Sequence, residues 1–364
     1  MLIKGAVLRT VGAPRPYRSS APLSIEDVEL APPGAGEVLV EIEAAGVCHS
    51  DLSVIDGNRL RPVPMLLGHE AAGRVVTPGA GFDVGDRVVL SYLPRCGSCA
   101  GCASDGRFPC APGSRANAEG TLFGGERRLS VAGSPVHHHL GVSAFATHAV
   151  VDERSLVRVP SPVPAEVAAL LGCAVLTGGG TLLNAASSRA GESVAVVGLG
   201  GVGLAAVLTA AALGAGEIVA IDPVAAKRAI AAELGASRTL SPDEAAGLAM
   251  DVVVEAAGAG AAVSTALAAT GPGGRTVIAG LTHPGVRVPL SPLDLVAGGR
   301  SVIGSYMGSS VPARDVPRFV ELWQAGRLPV GRLISARIGL ADLNDAMDDL
   351  ADATALRQVV LPGQ

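Results

Sequence analysis

At roughly 150 residues per domain, a chain of 364 residues has room for two domains, and its 49% hydrophobic content is enough for two buried cores. With 28 Lys+Arg against 33 Asp+Glu the net charge is −5, so no basic excess draws in nucleic acid or an anionic membrane surface. Charged residues at 17%, with 48 Gly and 25 Pro, describe an ordered globular chain rich in tight turns and exclude extensive disorder.

The N-terminus, Met1-Leu2-Ile3-Lys4-Gly5, lacks the cationic region, apolar core and cleavage site of an export signal, so a cytoplasmic location with reduced thiols is expected. Short apolar runs separated by Pro/Gly turns then predict strands at Ile3 to Arg9, Glu37 to Ala45, Ala71 to Thr77, Asp86 to Ser91 and Ala144 to Asp152. In the second, Val38, Val40 and Ile42 alternate with Glu41 and Glu43, the period of two of a half-buried sheet. Pro32-Pro33-Gly34 and Pro78-Gly79-Ala80-Gly81 supply turns.

From about residue 175 the strands lose their polar alternation: Ser193 to Gly198, Ile218 to Asp222, Asp251 to Glu255, Thr276 to Ala279 and Val302 to Tyr306. Such strands are buried on both faces, and the Ala-rich segments between them predict a parallel sheet covered by helices on both sides. Ser193 to Gly216 is 24 residues without a charge, long enough to span a bilayer. Its six glycines, four of them between Gly198 and Gly203, read instead as strand, turn and helix, so no membrane span is expected. Ala236 to Met250 is short for a strand and a full crossover helix, which predicts a reduced helix there. Near residue 307 the texture changes again, and Val316, Phe319, Val320 and Trp323, then Leu343, Ala346, Met347 and Leu350, predict two closing amphipathic helices.

Three constellations carry chemistry. Cys96, Cys99, Cys102 and Cys110 fall within 15 residues on a Gly/Pro-rich loop. Four thiolates fill a tetrahedral zinc ion and leave no position for substrate, which makes a structural site; free or paired cysteines and an iron–sulfur cluster are the competing readings. Cys48, His69 and Cys173 would make a three-ligand zinc site with a fourth position open to water or substrate, although a lone buried Cys or His is more often packing. Gly198-x-Gly200-Gly201-x-Gly203 follows an apolar strand, opens an Ala-rich helix and precedes Asp222 by the spacing of a dinucleotide fingerprint. There the helix N-terminus faces the pyrophosphate, and the Asp222 carboxylate accepts the ribose hydroxyls of NAD and repels the extra phosphate of NADP.

Gly46 to Asp51, Gly68-His69-Glu70, the four-Cys lobe, His137-His138 to Phe145, Leu171-Gly172-Cys173, Thr177-Gly178, the glycine fingerprint and Asp222 run in the order of a known family. Over essentially its whole length the chain resembles the zinc-dependent medium-chain alcohol dehydrogenases, in the branch that keeps a structural zinc lobe. The resemblance implies an α/β architecture: a GroES-like, β-rich catalytic domain (1–174, with the zinc lobe at about 95–111), an inserted Rossmann NAD-binding domain (175–306) and a C-terminal return to the catalytic domain (307–364). It implies two zinc ions per chain, with Cys48, His69 and Cys173 on the catalytic one and Cys96, Cys99, Cys102 and Cys110 on the structural one. Asp51 is then the carboxylate that orients the ligating His, Glu70 the acid beside the zinc and Ser50 the hydroxyl that takes the proton from bound alcohol. His49, Lys227 and Arg357 fall where the family contacts cofactor phosphates and ribose, and Thr177 and Val202 where it presses the nicotinamide toward substrate.

The chain departs from the family at Ser53, where relatives often carry the His that ends the proton relay, at Arg59 in a position often apolar, and at His139 in one often aromatic. Family position puts Arg59, Tyr92, His139 and Tyr306 around the substrate. With nine aromatic residues in all, two Tyr there suggest a wall for a flat or medium-sized substrate. Arg59 and His139 either meet a polar substrate group or, respectively, lie at the rim and bond a neighbouring carbonyl. The implied activity is hydride transfer between NAD and a primary alcohol or aldehyde larger than ethanol, aromatic or polar-substituted, by a cytoplasmic homodimer or homotetramer. Rival readings are a dehydrogenase for a thiol adduct of formaldehyde, an enzyme that keeps NADH permanently bound, and a catalytically silent NAD(H)-sensing protein.

Overall fold

The computed structural model describes residues 1–79 and 81–363. The turn expected at Pro78-Gly79-Ala80-Gly81 includes Ala80, which lies outside the described residues. Contacts divide the chain into two compact units, one of residues 1–104, 109–173 and 334–364 and one of residues 105–108 and 174–333.

The first unit is built from a closed barrel and a mixed sheet. The barrel strands are Leu2–Leu8, Leu23–Leu30, Leu129–Val131, Ser134–His138 and Met65–Leu66. Ile3, Val7, Val28, Leu66, Leu129 and Val136 fill the barrel side of the core. Closure removes the edges that would otherwise offer unpaired backbone to another chain. The sheet is seven-stranded and centred on Glu37–Gly46, with Ala71–Val75 and His148–Asp152 paired antiparallel to it. Its Glu41 is exposed between the buried Val40 and Ile42, as the alternation requires. The strand expected from Ala144 begins instead at His148. Residues 144–147 cross from barrel to sheet and spend their amides on the carbonyls of Gly68, Leu67 and Lys4, so they join no regular ladder.

The second unit is a six-stranded parallel sheet in the order Arg238–Leu240, Ile218–Ile221, Val194–Val197, Met250–Glu255, Thr270–Ile278, Ser301–Gly304. Numbered along the chain this is 3-2-1-4-5-6, the doubly wound dinucleotide-binding order, with its crevice at the carboxyl end of Val194–Val197. The four residues of that strand are all buried, which explains why their sequence shows no alternation. The reduced crossover is a single turn, Pro242–Ala245. The charge-free stretch 193–216 is strand Val194–Val197, a turn and helix Gly201–Leu213. One helical run, Ala165–Ala185, is long and apolar enough to cross a membrane, and 89% of its apolar window is buried inside the protein.

The breaks between the compact units fall at 173/174 and 333/334, against expected borders at 174/175 and 306/307. The helix expected around Phe319 is Pro312–Gln324, and it belongs to the second unit. The Phe319 ring, fully buried, occupies the space that a side chain at Gly179 would take, which packs this helix against Leu176–Gly180.

Candidate active site

Strand Glu37–Gly46 runs directly into Val47 and Cys48, and Cys48 is the residue that precedes helix His49–Ile55. Asp51, in the first turn of that helix, accepts from Cys48 N through Oδ2 at 3.2 Å and so fixes the thiol at the helix start. His69 follows Gly68, whose φ is +90° and where any side chain would overlap the Phe145 amide; only glycine turns the chain there. Cys173 lies in the π-helical turn Leu171–Val175, a wider turn of the kind that recurs at functional sites. These three elements bring Cys48, His69 and Cys173 together, with all three ligand atoms within 4.8 Å of one another and all three residues buried. Cys173 Sγ is 3.6 Å from His69 Nε2. Zn–S and Zn–N bonds of about 2.3 and 2.0–2.1 Å at a tetrahedral angle give a ligand separation of about 3.5 Å, so the donor set fits zinc.

The surrounding charges prepare that set. Asp51 Oδ1 accepts from His69 Nδ1 at 3.0 Å, which leaves Nε2 to face a metal. Burial opposes charge on Asp51, but His69 and His139 outweigh it and hold the acid below its ordinary range. Burial likewise opposes protonation of His69, and Asp51 and Cys48 overcome it, raising the imidazole well above its usual value. A hydrogen bond shared with Cys173, opposed by burial and aided by Arg357 and His69, drives the Cys48 thiol far down. The same bond and burial drive Cys173 far up, and a metal that binds there must displace its proton. Glu70 Oε2 accepts from Arg357 Nη2 at 2.6 Å, and Arg357 Nη1 donates to the Val47 carbonyl at 2.9 Å. Arg357 is 3% exposed. The resemblance places Arg357 at the cofactor; in the structure two of its guanidinium nitrogens are engaged by Glu70 and the Val47 carbonyl, Nε has no hydrogen-bond partner among the described residues, and its charge favours the Cys48 thiolate.

Tyr92 and His139 are both buried against His69, with ring centroids 5.4 and 5.3 Å away in edge-to-face orientation. His139 reaches Asp51 Oδ1 at 3.1 Å. The side chain of His139 is 1% exposed, and its Nδ1 approaches the Asp51 carboxylate. Ser50 is half-buried in the first turn of the short helix, and His49 is exposed. Ser53 Oγ donates to the His49 carbonyl at 2.7 Å, so the position expected to carry a relay imidazole closes a helical turn instead. Arg59 is half-buried and its guanidinium forms no ion pair among the described residues.

The lobe cysteines also converge. Cys96 and Cys102 Sγ are 3.8 Å apart, as are Cys99 and Cys110 Sγ. A tetrahedron of Zn–S bonds of about 2.3 Å has edges of about 3.8 Å, so this set fits a zinc ion with no open position. Backbone amides of Cys99, Gly97 and Cys96 each donate to a sulfur at 3.3 Å. The amide of Ser98, first among several such donors, lowers Cys96 to about 6, whereas burial pushes Cys110 up to about 12. Cys99→Ser should remove one thiolate and with it the ion. Zinc content should fall by about one per chain and Tm by roughly 4–8 °C, the equivalent of about 2 kcal/mol, in metal analysis and calorimetry.

In the second unit, Gly198 has φ +92° and leads to Gly200, after which helix Gly201–Leu213 begins. A side chain at Gly203 would overlap the Gly198 carbonyl oxygen, and one at Gly178 the Val202 carbonyl oxygen. At Gly200, by contrast, a Cβ would meet no protein atom within 4 Å. Protein packing does not require that glycine, and its bareness keeps clear the space before a helix N-terminus where an anion is favoured. Asp222 Oδ2 accepts from Leu199 N at 2.8 Å and Oδ1 from Val224 N at 2.9 Å, which pins the carboxylate beside the loop with lone pairs to spare. Lys227 is half-buried in the following helix, Thr177 is buried in helix Leu176–Gly180, and Tyr306 is 37% exposed in the turn Tyr306–Ser309.

Residues 34–161 match the model of the alcohol dehydrogenase GroES-like domain and residues 201–325 that of the zinc-binding dehydrogenases. A geraniol dehydrogenase of Castellaniella defragrans is 37% identical over 379 aligned residues, covering 98% of this chain and 97% of its own. The chain belongs to the zinc-dependent medium-chain alcohol dehydrogenases. An NDMA-dependent alcohol dehydrogenase of Amycolatopsis methanolica is 35% identical and covers 99% of each chain. The crystal structure of a benzyl alcohol dehydrogenase from Acinetobacter calcoaceticus superposes with a TM-score of 0.90 at 29% identity over 99% of each chain. As an alcohol dehydrogenase, the chain has a GroES-like domain and, inserted in it, a Rossmann domain, works on small-molecule alcohols or aldehydes, and belongs with zinc and a nicotinamide cofactor. Sequence reasoning missed the Glu70–Arg357 pair and the place of His139. The partners are 287 and 88 residues apart in sequence, and no local spacing announces them.

Proposed function

We propose that this alcohol dehydrogenase transfers a hydride between NAD and a primary alcohol or aldehyde larger than ethanol, using zinc held by Cys48, His69 and Cys173. The observation that carries the reading is the convergence of these three ligand atoms, with Asp51 directing the His69 Nε2 toward them. Bound zinc supplies Lewis acidity that lowers the pKa of an alcohol hydroxyl, and bound NAD accepts the hydride. The chain's own residues do the rest. Cys48 and Cys173 fix the ligand geometry, Asp51 sets the His69 tautomer, and Glu70 and Arg357 balance charge behind them. Ser50 would relay the alcohol proton on toward solvent as its own hydroxyl proton moves away, and Thr177 and Val202 would hold the nicotinamide.

The second zinc is assigned to Cys96, Cys99, Cys102 and Cys110, whose sulfur separations support it. All six cysteines serve as metal ligands in this reading, and the proposed location is the reducing cytoplasm. Helix Pro292–Gly298 has no buried residue and exposes Leu293 (73%) and Val296 (82%) beside the edge strand Ser301–Gly304, which supports a homodimer or homotetramer. Geraniol and benzyl alcohol dehydrogenases among the relatives favour an unsaturated or aromatic alcohol. Arg59 is the pocket residue that would meet a polar substituent.

The test is a panel of primary, secondary and aromatic alcohols with NAD and with NADP. Turnover of geraniol- or benzyl-type alcohols with NAD supports the reading, and a preference for NADP contradicts it. Asp222→Gly should cost NAD binding about tenfold or more, the worth of a hydrogen bond to a charged group, and narrow the discrimination against NADP. The NDMA-dependent relative favours a second reading, in which the cofactor stays bound and an external carrier is reduced. Purified protein would then show nicotinamide absorbance and turn over with that carrier before any NAD is added.

A further inference from the structure

The Asp51 carboxylate collects more donors than one metal-ligand His requires. Oδ2 accepts from Cys48 N at 3.2 Å, while Oδ1 lies 3.2 Å from Gly68 N, 3.0 Å from His69 Nδ1 and 3.1 Å from His139 Nδ1. The first three tie Asp51 to the elements that carry Cys48 and His69. The fourth comes from a different segment, and its ring stands edge-to-face on His69 with planes 78° apart. Approach of the His139 N–H is bent away from a straight hydrogen bond, and Nδ1 has no other partner. A buried imidazole nitrogen left without a full bond is costly unless the nearby carboxylate compensates it.

The backbone of His139 is itself held. Its amide donates to Ser143 Oγ at 2.9 Å, and Ser143 Oγ donates to the Leu66 carbonyl at 2.8 Å. The chain therefore delivers a second imidazole to the one oxygen that sets the orientation of His69. We propose that His139 is a positioning residue for the metal centre: it pins Asp51, and through Asp51 it holds His69 in the orientation that retains zinc. The inference rests on the assignment of zinc to Cys48, His69 and Cys173. It places a determinant of metal retention at a position that does not touch the metal, where outer-shell partners are worth about 10–100-fold in affinity.

The test compares wild type, His139→Phe and His139→Asn. Phe fills the space without a donor, and the Asn amide nitrogen stands where Nδ1 stood. Zinc release to a chelator is followed for both ions, and the ligand-field spectrum of cobalt at the catalytic site is recorded. Expected for His139→Phe is release of the catalytic zinc about tenfold faster or more, a shifted cobalt spectrum and unchanged retention by the four-Cys lobe. His139→Asn should return both readouts toward wild type. Wild-type release and spectrum in His139→Phe overturn the proposal, as does equal loss in both variants, which would make the role one of packing alone. Should the Phe variant fail to fold, the Asn variant decides, with retention near wild type supporting the proposal and a tenfold loss overturning it. Wild-type protein that takes up only the lobe zinc would instead overturn the zinc assignment itself, a result distinct from failure of the His139 role.

Discussion

His69→Ala is expected to abolish alcohol turnover, with kcat/KM down by at least about 10³, while the protein stays folded. The imidazole supplies one of the three proposed ligands, and its removal leaves two sulfur donors instead of a closed donor set. Losing the metal's Lewis acidity costs the transition state several kcal/mol, of which about 4 already corresponds to the thousandfold drop. The fold should survive because His69 sits between structures that it does not hold together. Gly68 turns the chain on its own, and Asp51 keeps its bonds to Cys48 N and Gly68 N. Circular dichroism should match wild type, and metal analysis should give about one zinc per chain where wild type gives two. Residual turnover near wild type in the zinc-replete variant would contradict the assignment.

Gly203→Val is expected to have the second large effect, this time on the dinucleotide loop. A Cβ at this position overlaps the carbonyl oxygen of Gly198, backbone against backbone, so no rotamer change relieves it. Either helix Gly201–Leu213 moves off the strand Val194–Val197 or the loop opens. Overpacking of this kind costs about 3 kcal/mol or more and should lower the Tm of the second unit. NAD binding, read by fluorescence titration, should fall below detection, since the loop that faces the pyrophosphate is the part displaced. Binding at wild-type strength would show that the loop does not hold the cofactor.

Much of the fold and the site is legible in the amino-acid sequence. Strands such as Val194–Val197 declare themselves because burial on both faces leaves no polar residue among them. The residues proposed as zinc ligands can be picked out because the Cys and His types, their neighbouring Gly and Asp residues and their order along the chain all point to one family, and the structure brings their ligand atoms together. What is not legible depends on long-range packing. Phe319 joins the second unit because Gly179 leaves room for its ring, and a helix's own periodicity does not name its partner. Arg357 is drawn to Glu70 across 287 positions, and His139 to Asp51 across 88, each to satisfy a buried charge. Val302 to Tyr306 shows a smaller discrepancy of the same origin. The strand stops at Gly304: the amide of Ser305 makes the last ladder bond, to the Ile278 carbonyl, and Tyr306 starts a separate turn.

The central claim is hydride transfer from an alcohol carbon to a nicotinamide ring. It is tested most directly by incubating the zinc-replete protein with NAD and benzyl alcohol carrying two deuterium atoms on the reacting carbon. The protein is then denatured and all nicotinamide cofactor, free or formerly bound, is weighed by mass spectrometry. Direct hydride transfer gives reduced cofactor heavier by one deuterium, together with monodeuterated aldehyde. Aldehyde formed while the reduced cofactor remains unlabelled would contradict it.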